Sequence, residues 1–165
     1  MEETNPTLSD FVQQMKSGDR KYIFQNTQDP SMTGNVLAAM TALTDDLKHW
    51  VKPTKVQFYL GPVDSGAPLH YHADAINVLA HGTKHWYLQP PQDAEYHTNP
   101  VFEWETLSLP LYPESRKPIE CTQQAGDLIY VPQGWAHATL NWQESVGVAV
   151  EFGIDPGITA TVARG

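Results

Sequence analysis

The 165-residue chain has very little of three things that would assign it to other classes of protein. It has one cysteine, Cys121, so an internal disulfide is excluded and the redox compartment stays open. It has no apolar run near the roughly 20 residues that a membrane-spanning helix needs, so we expect no membrane insertion. Its 10 Lys and Arg residues face 19 Asp and Glu residues, for a formal net charge of −9. They form no cluster, so a nucleic-acid partner is not expected.

The first ten residues, MEETNPTLSD, are acidic and contain no apolar segment of the kind a signal peptide has. We therefore expect a cytoplasmic protein.

The length and the 41% hydrophobic content fit one globular domain over residues 1–165. Apolar residues recur at helical spacing between Thr7 and Gly18, and again between Thr33 and Trp50. These patterns predict two helices, with the short aromatic run KYIFQ as a strand between them. Residues 1–53 are thus expected to be a mainly helical N-terminal support.

From residue 54 to residue 152 the pattern changes to about eight short strand-like runs, cut by Gly and Pro, and one of them is APLHYH. So many short strands predict an all-β core that closes into a small barrel or jelly roll. The polar, Pro-rich residues 90–118 interrupt the strands. We expect them to form an insertion loop over one mouth of the barrel.

Two histidines one residue apart, His70 and His72, suggest a metal site. Side chains on a strand alternate between faces, so these two would project together. One of them could instead line a pocket while the other is hydrogen-bonded. His137 follows a Pro-x-Gly turn on a later run, where a neighbouring strand could bring it within reach of the pair. Three imidazoles would make a facial site for Fe(II), although Zn, Ni or Cu also suit such ligands.

The later histidine lies in a motif that carries a resemblance. GDLIYVPQGWAHATLN has the cupin spacing of Gly, five residues, Pro-x-Gly, two residues, His, three residues and Asn. With SGAPLHYH and NVLAHGTKHWYLQPP, the chain resembles a JmjC domain of the cupin superfamily from about Gln57 to Phe152. It resembles most the small JmjC-only proteins of the endoplasmic reticulum, which share the His-x-His pair and ECT and have WHATLN where this chain has WAHATLN. This resemblance makes the lumen of the endoplasmic reticulum the alternative compartment if a leader has been removed.

The resemblance implies a double-stranded β-helix, or jelly roll, that binds Fe(II) and 2-oxoglutarate. His70 matches the first metal ligand of the family and His137 the last. His72 stands where the family has a carboxylate, which is the main departure. It leaves the site one negative charge poorer and should weaken Fe(II) binding. Asp74 is a candidate substitute carboxylate.

The same resemblance assigns residues to the cosubstrate. Asn77 and Lys84 repeat the family spacing Asn-x-x-x-x-Gly-x-Lys, in which the lysine pairs with the distal carboxylate of 2-oxoglutarate. Asn141 matches a pocket Asn, or it satisfies a turn. Ala67 and Ala149 stand where many relatives have a hydroxyl, so the bound acid would have fewer donors.

Three functions remain open at this point. The first is an Fe(II)/2-oxoglutarate-dependent oxygenase, a protein or small-molecule hydroxylase with a three-histidine site. The second is a catalytically weak or inactive metal-binding module, with aromatic and apolar residues of the insertion loop either exposed for a partner or folded back as a lid. The third is another cupin dioxygenase. The loop residues in question are Phe102, Trp104, Leu107 and Tyr112.

The expected ligand of the oxygenase is a protein, peptide or small-molecule substrate that the sequence does not identify. The C-terminal helices that dimerise JmjC hydroxylases have no counterpart after Phe152. We therefore expect a monomer or a weak homodimer.

Overall fold

The computed structural model describes residues 7–27 and 51–154. The second predicted helix, between Thr33 and Trp50, lies outside the described residues. No helix in the two described ranges is long and apolar enough to cross a membrane. The compartment expected from the sequence stays a prediction.

The first helix, α1, spans Leu8–Lys16 and confirms the predicted start. The Thr7 hydroxyl accepts a hydrogen bond from the Asp10 amide at 3.2 Å, and the Asp10 carboxylate accepts one from the Thr7 amide at 2.8 Å. This reciprocal cap satisfies amides that have no partner inside the helix. Phe11 and Met15, one turn apart, form the buried face of the helix.

Eight strands in the described residues form two antiparallel sheets. The larger sheet has the order β1-β2-β8-β3-β6, and the smaller has the order β5-β4-β7. The chain passes repeatedly from one sheet to the other, which is the winding of a jelly roll and confirms the predicted all-β core. The strands are β1 Ile23–Asn26, β2 Val51–Gly61, β3 Ala75–His81, β4 Thr83–Gln89, β5 Ile119–Gln124, β6 Leu128–Val131, β7 Ala136–Asn141 and β8 Ser145–Ile154.

The register of the sheets sets which side chains face the space between them. Gln57 of β2 pairs with Ala149 of β8, which pairs with Asn77 of β3. In the smaller sheet, Trp86 of β4 pairs with Thr139 of β7. Because paired residues of an antiparallel sheet point to the same face, polar and aromatic groups from both sheets meet in the interior.

Two predictions about the strands differ from the structure. The run APLHYH is not a strand: only His70 forms an isolated bridge, to His137. The pairing with β7 shifts by one residue beside Pro68, which has no amide hydrogen to donate, so the Thr139 amide bonds the Ala67 carbonyl instead. Strand β2 begins at Val51, before the predicted start of the β core at Thr54.

Residues 90–118 connect β4 to β5 and contain only short helical turns. Trp104 is 1% exposed and packs with Leu69 and Tyr87, so this part of the connection folds back on the core. Leu107 and Leu111 remain exposed. The turns are α2 Val101–Glu103, a π-helical turn Trp104–Ser108, and 3-10 turns Leu109–Leu111 and Glu114–Arg116.

A substitution at Gly66 tests how closely residues 65–72 lie against β7. A Cβ at Gly66 would overlap the backbone carbonyl of Thr139 and lie 3.2 Å from the Leu140 Cα. We expect Gly66→Ala to lower the free energy of unfolding by about 1–3 kcal/mol, because a backbone atom cannot give way cheaply. The measurement is urea unfolding followed by circular dichroism.

Gly153→Ala is the matched control, since a Cβ there meets nothing within 4 Å. It should change the stability by less than about 0.5 kcal/mol. Equal effects of the two substitutions would contradict the close approach of Gly66 to β7.

Candidate metal centre

Backbone pairing brings the three histidines together. Residues 65–72 run antiparallel to β7, and His70 and His137 exchange two backbone hydrogen bonds, of 3.0 and 2.7 Å. In the turn that precedes β7, the Gly134 amide donates a hydrogen bond to the His72 carbonyl at 3.0 Å. Two residues directly opposite each other point to the same face, so the His70 and His137 rings meet.

The rings converge on one point. Their centroids are 4.3 Å apart for His70 and His137, 4.7 Å for His72 and His137, and 5.3 Å for His70 and His72. One ring nitrogen from each lies within 4.8 Å of the others. Among the described residues, this is the group of His, Cys, Asp and Glu side chains close enough to share a metal ion.

Hydrogen bonds to backbone carbonyls orient each ring. The Nδ1 atoms of His70, His72 and His137 lie 2.7, 2.7 and 3.1 Å from the carbonyl oxygens of Pro68, Ala73 and Trp135, respectively. A carbonyl only accepts, so each Nδ1 carries the hydrogen and each Nε2 keeps its lone pair. This is the tautomer that a metal ligand needs. In metal sites, too, a hydrogen bond from the other ring nitrogen to a carbonyl or carboxylate fixes this tautomer. The donor set therefore fits a divalent transition metal.

Burial favours the neutral form of two of the rings, His70 and His137. It lowers the pKa of His137 to about 3, with His70 and His72 nearby contributing in the same direction. Burial also lowers the pKa of His70. Neutral imidazole is the form that coordinates a metal, so no proton has to be removed from these two rings at neutral pH.

Asp74 does not join the three histidines. Its Oδ1 accepts hydrogen bonds from the Tyr130 hydroxyl at 2.6 Å and from the Gln133 amide at 3.1 Å. These contacts tie Asp74 to β6 and the turn after it. The site consists of imidazoles without a carboxylate, as the departure at His72 suggested.

A cavity of about 30 Å³ lies beside the histidines, between the two sheets. This is about the space of one or two water molecules. It adjoins a larger groove of about 410 Å³ on the outside, to which Tyr71 and Tyr96 contribute exposed rings. The side chains that line both spaces are Tyr22, Phe24, Ala67, His70 and His72.

Lys84 is fully buried below this cavity. Its ammonium donates a hydrogen bond to the Tyr22 hydroxyl at 2.9 Å and lies 4.0 Å from the centre of the Tyr59 ring. No carboxylate of the described residues pairs with it. Burial lowers its pKa to about 7 because water is removed and no counter-charge replaces it. The site therefore holds a cation that lacks an anion.

The two asparagines differ in position. Asn77 lines the cavity, and its Oδ1 accepts a hydrogen bond from the Tyr59 hydroxyl at 2.7 Å. Asn141 lines neither space. Its Nδ2 lies 3.2 Å from the Gly61 carbonyl and 3.1 Å from the Ser65 Oγ, so it holds the turn after β2. The roles of Asn77, Lys84 and Asn141 toward a cosubstrate stay predictions.

Sequence reasoning missed two polar groups of the cavity, Tyr22 and Thr139. Ala67 and Ala149 line the cavity without a hydroxyl, but the Thr139 hydroxyl lies near them and accepts a hydrogen bond from the Ala67 amide at 3.2 Å. The alternation in KYIFQ, which puts Tyr22 and Phe24 on one face, was the available signal for Tyr22.

Fold and site together define a jelly-roll protein with a group of three histidines that could hold a metal ion. The chain belongs to the cupin-like domain family, whose model matches residues 1–152, and within it the chain is a JmjC-type protein. It is 37% identical over 98 residues to JmjC domain-containing protein 8 of Homo sapiens, covering 58% of this chain and 37% of that protein.

Two further similarities are to proteins that are themselves named as oxygenases. It is 30% identical over 105 residues to the 2-oxoglutarate and iron-dependent oxygenase JMJD4 of Gallus gallus, covering 54% of this chain and 24% of that protein. A structure of YcfD, a ribosomal oxygenase from Escherichia coli, in complex with cobalt and succinic acid, has the same fold. Its TM-score is 0.52 at 12% identity, over 90% of this chain and 44% of that one. The chain thus spans less than half the length of each of these proteins, from 24% to 44%.

The buried Lys84 predicts an unusual dependence of stability on pH. Its pKa in the folded chain is about 7, against an ordinary value of 10.5, so between these values the unfolded chain binds more protons. The free energy of unfolding should therefore rise with pH in this window. Lys84→Met should abolish that rise and should stabilise the metal-free protein at pH 7 by roughly 1–4 kcal/mol.

Urea unfolding at several pH values from about 6.5 to about 9.5 measures this slope. Lys55→Met is the control, because Lys55 is partly exposed and paired with Glu151 at 2.9 Å. The control should keep the rise with pH. An unchanged slope in Lys84→Met would mean that the buried ammonium is not its source.

Proposed function

We propose that this chain is a JmjC-type oxygenase that binds Fe(II) through His70, His72 and His137 and uses 2-oxoglutarate as its cosubstrate. The observation that carries the proposal is that two features lie close to one cavity. Three imidazoles on its wall present free Nε2 atoms. A buried ammonium, which pairs with no carboxylate of the described residues, lies behind Tyr22 of the same wall.

The cation gives the specific argument for a diacid. A buried, unpaired ammonium costs several kcal/mol, and a bound carboxylate would offset that cost. Lys84 has three N–H donors and uses one of them on a described side chain, so it can hold a carboxylate. An acid anchored there by one carboxylate and directed at the histidines by its other end matches the shape of 2-oxoglutarate.

The residues of the chain have distinct roles in this proposal. The three histidines hold the metal, Lys84 anchors the acid, and Asn77 is a further polar group on the cavity wall. When bound, iron and keto acid supply the oxidising chemistry. The apolar walls around them, including Trp86 and Val131, exclude water from the site.

The outer groove supports the choice of substrate. It opens on His70 and His72, and exposed aromatic rings at its edge suit a side chain presented by another molecule. We infer that a protein or peptide side chain enters there. The curated relatives include a bifunctional arginine demethylase and lysyl-hydroxylase, psr-1 of Caenorhabditis elegans, which fits this class of substrate.

A catalytically weak metal-binding module is the second candidate. The cavity volume of about 30 Å³ and the two alanines on its wall favour it, because both reduce the binding of an acid. The two candidates differ in whether 2-oxoglutarate binds and is consumed.

The metal site is tested by titrating the protein with Co(II) or, without oxygen, Fe(II). We expect one ion per chain and a loss of affinity of at least about 100-fold for His137→Ala, because ligand removal exceeds the effect of removing an outer-shell partner. His81→Ala, on an exposed histidine, is the control and should bind normally. His72→Asp should bind more tightly, since it adds the missing negative charge. Wild-type-like binding by His137→Ala would exclude this centre.

The cosubstrate is tested by adding 2-oxoglutarate to the Fe(II)-loaded protein without oxygen. We expect a charge-transfer absorption band, and succinate formation once oxygen is admitted. Lys84→Met should keep the metal but lose about tenfold or more in affinity for the acid, because a charged hydrogen bond is removed. Tight metal binding with neither band nor succinate would favour the second candidate over the oxygenase.

A further inference from the structure

We propose that Gln57 recognises an amide group of the substrate polypeptide, as a neutral polar contact on the wall of the outer groove. This inference rests on the proposed function, in which a polypeptide enters that groove, and it names the chemical group that the groove selects. The amide can come from an Asn or Gln side chain or from the main chain. Both sources present the same planar N–H and C=O groups.

Gln57 is buried in β2 but has no hydrogen-bond partner for its side chain. The residue is 6% exposed and lines the outer groove of about 410 Å³. No hydrogen bond joins its carboxamide to any other group of the described residues. The carboxamide atoms are reachable from the groove and are not sealed in the core. Because buried polar groups normally have partners, this carboxamide is available to a molecule in the groove.

The register of the larger sheet directs Gln57 toward the site. Gln57 pairs with Ala149 of β8, whose side chain has no polar atom to bond it, and Asn77 follows on the same face. Ala149 and Asn77 line the inner cavity, whereas Gln57 lines the groove outside it. His70 and His72 border both spaces. A group bound to Gln57 would therefore share the groove with the histidines without entering the inner cavity.

The charges in the groove favour a neutral guest. Lys55 lies two residues before Gln57 on the same face and pairs with Glu151 at 2.9 Å. These are the ammonium and the carboxylate of the groove lining, and they neutralise each other. A charged side chain from the substrate would find no unpaired opposite charge there. An amide can bind Gln57 while the ion pair stays intact.

Exposed aromatic rings in the same groove suit the rest of a polypeptide segment. The rings of Tyr71 and Tyr96 meet edge to face with their centroids 6.3 Å apart, and the two residues are 52% and 64% exposed. Phe24, also in the lining, is 40% exposed. Aromatic rings offer a large apolar contact area. They would hold the carbon atoms on either side of the amide that Gln57 binds.

The experiment measures the binding of pentapeptides Ac-Gly-Gly-X-Gly-Gly-NH2 to the metal-free protein by saturation-transfer NMR. It needs neither metal nor keto acid. If Gln57 binds a side-chain amide, the peptides with X as Asn or Gln should bind about tenfold more tightly than those with Leu, Lys or Glu. If it binds the main chain, all the peptides should bind alike, and an ester in place of a peptide bond beside X should weaken binding.

Substitutions at position 57 test the residue itself. Gln57→Leu removes the donors and the acceptor and should weaken binding about tenfold from either source. Gln57→Glu adds a charge and removes the donors, so it should shift the preference to the peptide with Lys at X. Gln25→Leu is the matched control and should bind like the wild type. Gln25 is exposed on β1, and its pairing with Phe58 puts it on the opposite face of the sheet from Gln57.

Three results would overturn the inference. They are unchanged peptide binding by Gln57→Leu, a preference of the wild type for Lys or Glu at X, and no binding of any peptide at millimolar concentration. Thermal unfolding of each variant shows whether it is folded, and the comparison among peptides on the wild type needs no variant.

The outcome can be separated from that of the proposed function. Peptide binding that depends on Gln57, without any consumption of 2-oxoglutarate, would support the amide contact and remove the oxygenase. Succinate formation together with unchanged peptide binding by Gln57→Leu would keep the oxygenase and remove the role of Gln57.

Discussion

The site depends on one pair of backbone hydrogen bonds, the two that His70 and His137 exchange. They attach residues 65–72, which belong to no sheet, to the edge of the three-stranded sheet. Because directly opposed residues share a face, the same pair aims both imidazoles into the interior. His72 follows two residues later on that face, and Gly66 allows the segment to lie close enough to β7. The convergence of the three histidines is thus a product of main-chain pairing, and their side chains contribute the chemistry.

The interior that this pairing creates is unusually polar for a protein core. Gln57, Asn77, Lys84 and Thr139 are all buried between the two sheets. Buried polar groups stabilise a fold only when they are satisfied, and Lys84 is satisfied by a single neutral phenol. Burying Lys84 destabilises the fold, and the hydrophobic clusters around Trp104 and around Ile76 offset this by stabilising it. Such a distribution is typical of a protein whose interior is arranged for a ligand.

The contacts of His72 and Asp74 agree with a site that has no carboxylate in the usual ligand position. His72 has its Nδ1 on a backbone carbonyl, like the other two histidines, and Asp74 is held by Tyr130 and the turn after β6. The three rings therefore form a uniform set of imidazole donors, and the buried Lys84 lies behind the cavity that they line. A dianionic acid would supply to this centre the negative charge that its ligands lack.

Much of this protein is determined locally and could be read from its sequence. The Thr7 cap, the short strand runs of β3, β4 and β7, and the Pro-x-Gly turn before His137 depend on neighbours in the chain, and so did the choice of three histidines. Tertiary structure decided what local patterns do not encode. Residues 67–72 form a loop with one bridge to β7. The Asn141 side chain bonds the carbonyl of Gly61, 80 residues earlier in the chain, and Trp104 packs onto the core. The Tyr22 hydroxyl contacts Lys84, 62 residues away. Periodicity tells which face a side chain takes, but only the packing of two sheets decides what lies opposite that face.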